Sequence, residues 1–421
     1  MLLGLLIASV FVLGQENHTE SRTSATSSRK IHQREQWFAQ GRSAAGGPAA
    51  AARQRAIRQK MALRAVRSTQ RPSPDSPANA LSGDWVQLGP APVISDASGV
   101  GLQDYSFVAG RATTVAVDPA DSTGNTVYVG GAFGGVWKSS NAGPLSLFPG
   151  SVAWAPLTDS QATLAIGSIA IQPQLNNPDP AKSVVLVGTG ETNGSGDSYY
   201  GLGILRSADA GNTWTLIAHD GSLPPKSFAG LGFSKIAFST NNPSLVVAAV
   251  SGTAEGITEA EENPAAVNRG IYYSTDGGAS WNYASVKDGA TTTDAASVND
   301  VVYNAAAGEF FAAISLHGIY SSADGITWFR LATQPGGGLS ATACPAQIAS
   351  PRVCPIYRGE LTVVPNRLGP AGKGEMYAWY VDANDNDGGI WTSTDGGASW
   401  AQINDIGITS CGDLFGGCGT E

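Results

Sequence analysis

Five times along this chain a glycine, a short apolar or aromatic stretch and a serine recur. The copies are Gly135-Val136-Trp137-Lys138-Ser139, Gly203-Ile204-Leu205-Arg206-Ser207, Gly270-Ile271-Tyr272-Tyr273-Ser274, Gly318-Ile319-Tyr320-Ser321-Ser322 and Gly389-Ile390-Trp391-Thr392-Ser393. Their serines are 68, 67, 48 and 71 residues apart. A repeat of this size is one supersecondary unit used again and again, and such units bury their apolar faces against one another.

Two more strand candidates precede each copy: residues 114–117 and 126–129, 168–171 and 184–187, 235–238 and 245–250, 300–303 and 310–314, and 361–364 and 376–381. Adding a strand that starts at the tryptophan after each copy gives four strands per repeat, the count of a propeller blade. Composition agrees, because 53 Gly, 23 Pro and only 14% charged residues suit short strands joined by tight turns. The expected fold class is all-β, a β-propeller of four-stranded blades over residues 85–421 with five blades visible. A Gly-rich tail, residues 411–421, offers no strand to complete a ring, so the sequence is expected to be part of a larger propeller. Five-bladed closure, with residues 85–88 as the missing strand, is the competing view.

Three of the copies run on into one pattern, S-x-D-x-G-x-[ST]-W, at residues 207–214, 274–281 and 393–400. These segments resemble the Asp-box, or bacterial neuraminidase repeat. Residues 322–328 are one position short, and the first repeat has Asn141 in place of the aspartate and an insertion before Trp154. A carboxylate at the start of a tight turn accepts backbone N–H bonds, Gly supplies positive φ, and Trp covers the hairpin. Asp209 with Trp214, Asp276 with Trp281, Asp324 with Trp328, and Asp395 with Trp400 are therefore read as structural. A carboxylate that recurs in four of five repeats does not mark one catalytic site.

The strings Gly110-Arg111, Val117-Asp118-Pro119, Tyr128-Val129-Gly130-Gly131, Gly134-Gly135-Val136-Trp137-Lys138 and Val187-Gly188-Thr189-Gly190-Glu191 resemble bacterial sortilin-like Asp-box proteins, often labelled glycosyl hydrolase repeat proteins. Residues 34–63 resemble the basic leader of such propellers. Exo-sialidases are similar in the repeat but pair it with an Arg-Ile-Pro motif and an arginine triad. No Arg-Ile-Pro occurs here, and seven Arg lie beyond residue 85. Family 74 xyloglucanases are the nearer resemblance and imply a catalytic Asp between the second and third strands of the first blade. Ala132 stands at that position. Hydrolysis of a glycosidic bond needs two carboxyl groups flanking it, so the inherited mechanism is disfavoured.

Function is then expected on the loops of one face, those joining strand two to three and strand four to the next blade. The longest strand-two-to-three insertions are residues 190–202 and 251–269. They offer Glu191, Asp197, Tyr199 and Tyr200, and then Glu255, Glu259, Glu261 and Glu262. Rings beside carboxylates can hold a sugar by stacking and hydrogen bonding. The plainer alternative is a set of solvated loops. Glu191 and Asp197 are the catalytic candidates, and Arg111, Glu191, Asp197, Tyr199 and Tyr200 the ligand-binding ones.

Residues 382–388 resemble a calcium loop in composition. Gly388 falls one position late, however, and Ser393 stands where a bidentate Glu is needed, so the reading is a polar turn and no cofactor is expected. The four histidines, His18, His32, His219 and His317, are scattered, and no Cys pair has CxxC spacing, so a structural metal is not expected. Cys344 with Cys354 and Cys411 with Cys418 are expected to form local disulfides, although spacing alone leaves three pairings open.

Residues 2–13 form an apolar run of signal-peptide length, so residues 1–14 are read as a signal and the protein as secreted, periplasmic or on the cell surface; no stable membrane span is expected. No Lys or Arg precedes that run. Residues 15–84 read as a basic linker with a helix at 48–67. Lys and Arg number 12 against 5 Asp and Glu over residues 1–84, leaving 13 against 29 in the rest, or +7 and −16. An acidic body repels phosphates, which argues against a nucleic-acid partner. The functional expectation is a binding or scaffold propeller recognising polysaccharide or protein. Its alternative is a glycoside hydrolase with relocated carboxylates.

Overall fold

In a computed structural model of the chain, residues 59, 62, 93–94, 107–108, 110–143, 152–193, 199–253, 268–293, 296–336, 354, 356–382 and 387–403 are described. Nearly all of them form strands and turns. All lie within one unit, Ala44–Ile406. Gln59 and Ala62, inside the expected 48–67 helix, are helical and exposed; the rest of that helix, the signal segment and residues 85–88 lie outside the described residues. Among the described residues no helix is long and apolar enough to cross a membrane.

The sheets follow the repeat. The first blade is Ala112–Val117, Val127–Gly131, Gly135–Ser139 and Ala155–Pro156, and the second is Ile166–Ile171, Val185–Thr189, Ile204–Ser207 and Thr215–Ile217. The third is Leu231–Phe238, Val246–Gly252, Gly270–Ser274 and Asn282–Tyr283. The fourth is Val298–Asn304, Glu309–Ile314, Gly318–Ser322 and Thr327–Arg330, and the fifth is Arg358–Leu368, Gly374–Val381, Asp387–Ser393 and Ala401–Gln402. Every blade is antiparallel, and each first strand packs beside the first strand of the next blade. The fold is an all-β propeller arrangement of four-stranded blades.

Two details differ from the sequence expectation. Outer strands begin one residue after Trp154, Trp214, Trp281 and Trp400, and only Trp328 lies within its strand. Trp281 and Trp328 both turn the indole N–H back to the carbonyl three residues earlier, Gly278 at 3.1 Å and Gly325 at 3.0 Å, so this bond caps the turn without setting where the outer strand begins. The fourth sheet also has six strands, because Ser285–Asp288 pairs in parallel with Thr327–Arg330 and carries Thr291–Thr292 on its edge. The chain thus passes from the third blade's outer strand straight into the fourth blade's sheet.

The core lies between blades. Tyr128 and Val136 of the first blade meet Ile166, Ile169 and Val185 of the second. Leu186 and Ile204 meet Phe233 and Ile236 of the third, Val247 and Ala249 meet Val301 and Phe310 of the fourth, and Phe311 and Ala313 meet Leu361 of the fifth. Full burial of one such side chain contributes about 1.5–3 kcal/mol.

Polar latches repeat with the same direction. Thr114 Oγ1 accepts from Ile169 N at 3.3 Å, Ser168 Oγ from Ile236 N at 2.9 Å, and Asp300 Oδ2 from Leu361 N at 2.7 Å. On the opposite side Lys138 Nζ donates to Ala210 O at 3.1 Å and Arg206 Nε to Gly277 O at 3.2 Å. Those carbonyls belong to the repeated Ser-Asp turns, whose own bonding is internal. In the second blade, Asp209 accepts from Ser207 Oγ, Thr213 N and Thr213 Oγ1 at 2.7, 2.8 and 2.6 Å. Asp276 and Asp395 repeat the pattern, Asp324 accepts from Ile326 N and Thr327 N, and Asn141 accepts from Ala153 N in the first blade.

Candidate functional site

The face opposite the Ser-Asp turns is where each first strand begins and each second strand ends. On it, the first blade's tight turn between Gly131 and Gly135 holds Phe133 out at 48% exposure. The turn is fixed from below, since Ala132 N donates to Arg111 O at 2.9 Å. Ala132 itself is buried, which leaves a methyl group where the family 74 resemblance implies a carboxylate.

Arg111 stands just before the same blade's first strand. Its guanidinium reaches the second blade and meets Glu191 Oε2 at 2.7 Å. Glu191 follows the turn after Val185–Thr189 and is 1% exposed, while the Arg111 side chain keeps 42% of its surface open. The other carboxylate oxygen, Oε1, accepts from Asn193 N at 3.0 Å. Both oxygens are therefore engaged. A buried charge needs such compensation, and removing one partner alone would leave the other stranded.

The chain returns past this pair at Tyr199, whose carbonyl accepts from Glu191 N at 2.8 Å. Its ring lies against Phe133, with centroids 4.3 Å apart and planes tilted by 38°. A half-open ring pair thus sits beside a half-open guanidinium, joining residues of two blades. Tyr200, read from sequence as a second ring of the platform, is only 4% exposed and turns into the protein. Its ring cannot serve an open platform. Asp197, Glu255, Glu259, Glu261 and Glu262 lie outside the described residues.

Five residues that sequence reasoning missed extend the site. Asn193 Oδ1 accepts from Arg358 Nη2 of the fifth blade at 3.2 Å, and Arg358 is paired with Glu360 at 3.6 Å. Asp300, 1% exposed, lies between blades with Lys235 Nζ 3.9 Å away. Burial pushes its carboxyl up to about 7; nearby Lys235 opposes this and Glu360 adds to it. The signal for Lys235, Asp300 and Glu360 was positional: with Thr114 and Ser168 they occupy the same register place, opposite Gly130, Gly188, Ala249, Ala313 and Trp379.

Of the remaining candidates, Cys354 is buried and disulfide-bonded, while Cys344, Cys411 and Cys418 lie outside the described residues. Asp387 accepts from Trp379 Nε1 and from Gly389 N, both at 2.9 Å, so part of the calcium-like segment braces its own hairpin. Among the described residues no three His, Cys, Asp or Glu gather to hold a metal ion.

No family model and no curated protein matches the chain. Similar solved structures include an ancestral GH74 enzyme, at 19% identity and a TM-score of 0.46, covering 70% of this chain and 31% of that one. The GH74 xyloglucanase from Xanthomonas campestris is similar at 18% identity and a TM-score of 0.25, covering 69% and 45%. YCF48 bound to D1 peptide is similar at 14% identity and a TM-score of 0.29, covering 70% and 82%. The chain spans less than half the length of the two GH74 structures.

Proposed function

We propose that this chain is a secreted binding propeller whose loop face recognises a polysaccharide or protein ligand at the junction of the first two blades. The observation that carries the reading is the pairing of Phe133 and Tyr199 beside the Arg111–Glu191 ion pair. Ring faces supply contact area at low conformational cost, and a guanidinium supplies directed donors for hydroxyl or carboxylate oxygens. Binding is favoured over hydrolysis because both oxygens of Glu191 are already bonded. Retaining or inverting chemistry would ask that carboxyl to exchange a proton or attack a sugar carbon.

A glycan array and a pull-down of exported proteins test this with the mature chain. Tyr199→Ala and Phe133→Ala should each weaken capture by about tenfold, the loss of one stacked ring. Unchanged capture by both variants would overturn the site. Release of new reducing ends from a captured glycan would move the assignment to a hydrolase.

A further inference from the structure

In the first four blades, the second-strand residue paired with Thr114, Ser168, Lys235 or Asp300 is small: Gly130, Gly188, Ala249 and Ala313. The reason is the next blade. A Cβ on Gly130 would sit 2.6 Å from Ile166 Cγ2, and one on Gly188 would collide with Cβ of Phe233. In the fifth blade the same register place holds Trp379, opposite Glu360 on one side and Ile390 on the other. Its indole is 37% exposed, and its N–H is tied to Asp387 Oδ1. A blade packed as the others are would meet an indole where they leave room for a hydrogen or a methyl group.

The side chains around that indole are not those of a dry interface. Glu360 and Arg358 are close to half exposed beside it, and Thr362 is exposed one pleat further along the same strand face. Arg358 also binds Asn193, which binds Glu191, so a run of polar contacts links this face to the ring pair of the first two blades.

From this exchange of a small residue for an indole we infer that Trp379, flanked by Glu360 and Arg358, is a second ligand subsite that takes one pyranose ring of a neutral polysaccharide. The inference rests on the loop-face reading for the remainder of the ligand. A pyranose ring has an apolar face of C–H groups that lies flat on an indole, with hydroxyls projecting toward flanking donors and acceptors. Tying the indole N–H to Asp387 leaves the ring face, rather than its edge, as the contact. Neutral ligands fit because the Arg358–Glu360 pair carries no net charge and the body of the chain carries −16 (13 Lys and Arg against 29 Asp and Glu), which repels polyanions.

Calorimetric titration of the mature chain with cellohexaose, laminarihexaose and mannohexaose, with hexagalacturonate as the charged comparator, tests it. At least one neutral hexaose should bind, the comparator should not, and Trp379→Ala should weaken binding at least about tenfold. Trp379→Phe, which keeps a ring, should recover most of that loss, and Trp154→Ala, which removes another exposed indole, should bind as the parent does. If Tyr199→Ala abolishes binding and Trp379→Ala does not, the subsite fails while the loop-face reading stands. If only Trp379→Ala and not Tyr199→Ala weakens it, the subsite stands and the loop-face reading fails. No binding of any neutral hexaose, or equal loss in Trp379→Ala and Trp379→Phe, overturns the subsite.

Discussion

Asp209 is bonded within its own turn, and Asp300 is buried between blades, so the two carboxylates respond to acid in opposite senses. The Thr213 hydroxyl, then the Thr213 N–H and Ser207, hold Asp209 down at about 2. Its contribution is present above the ordinary value of 3.8 and is lost as pH falls toward 2. Asp300, raised to about 7, gives a contribution that is complete below 3.8 and lost as pH rises through about 7. Urea unfolding from pH 4 to 8 should therefore show stability declining across that window by at most about 1.4 kcal/mol per pH unit for this one group. Asp300→Asn should flatten the decline, at lower absolute stability because one backbone N–H loses its acceptor. A slope unchanged by the substitution would contradict this account. Sequence alone marked Asp209 by its motif but passed over Asp300, because nothing in the string Val298-Asn299-Asp300-Val301 says that blades three and five close over it. Arg111 and Glu191 were each legible in separate strings, whereas their contact, 80 residues apart in the chain, was not.

At the level of single strands, the fold was legible because the recurring Gly-to-Ser unit, the two strand candidates before it and the turn residues after it agreed with one another from repeat to repeat. The outer strands begin one residue after the tryptophan in four blades, and in the fourth blade the strand includes it. Trp379 was hidden for a different reason: its oddity appears only when the second strands are set in register and the small residues Gly130, Gly188, Ala249 and Ala313 fall into one column. That column makes a prediction about packing. Gly188→Ala, which brings a methyl group against Phe233, should destabilise the chain by about 1–3 kcal/mol through overpacking of the second and third blades. Gly308→Ala, where a Cβ meets nothing but the backbone has φ 69°, is the contrasting control for a purely conformational cost. A thermal melt in which Gly188→Ala matches the parent would show that the blades can spread at no cost.

Across the whole arrangement the first blade leaves apolar side chains uncovered at places where the second blade buries them. Val115, Val117 and Trp137 are 62%, 55% and 38% exposed, whereas Ile169, Ile171 and Leu205 in the second blade are 7%, 9% and 1% exposed against the first. Val115→Lys should therefore change stability by no more than about 0.5 kcal/mol, while Ile169→Lys should cost several times that by burying an unpaired ammonium. Equal and large losses in urea titrations of both variants would mean that the first face is covered in solution. The strand Ser285–Asp288 gives the third and fourth blades a different kind of relation from the others. Because it continues the third blade's edge while lying in the fourth blade's ladder, neither sheet can fray at its rim without tugging the other. Those two blades should open as one cooperative unit, so that their amide protons exchange with a single shared free energy while the outlying blades exchange on their own.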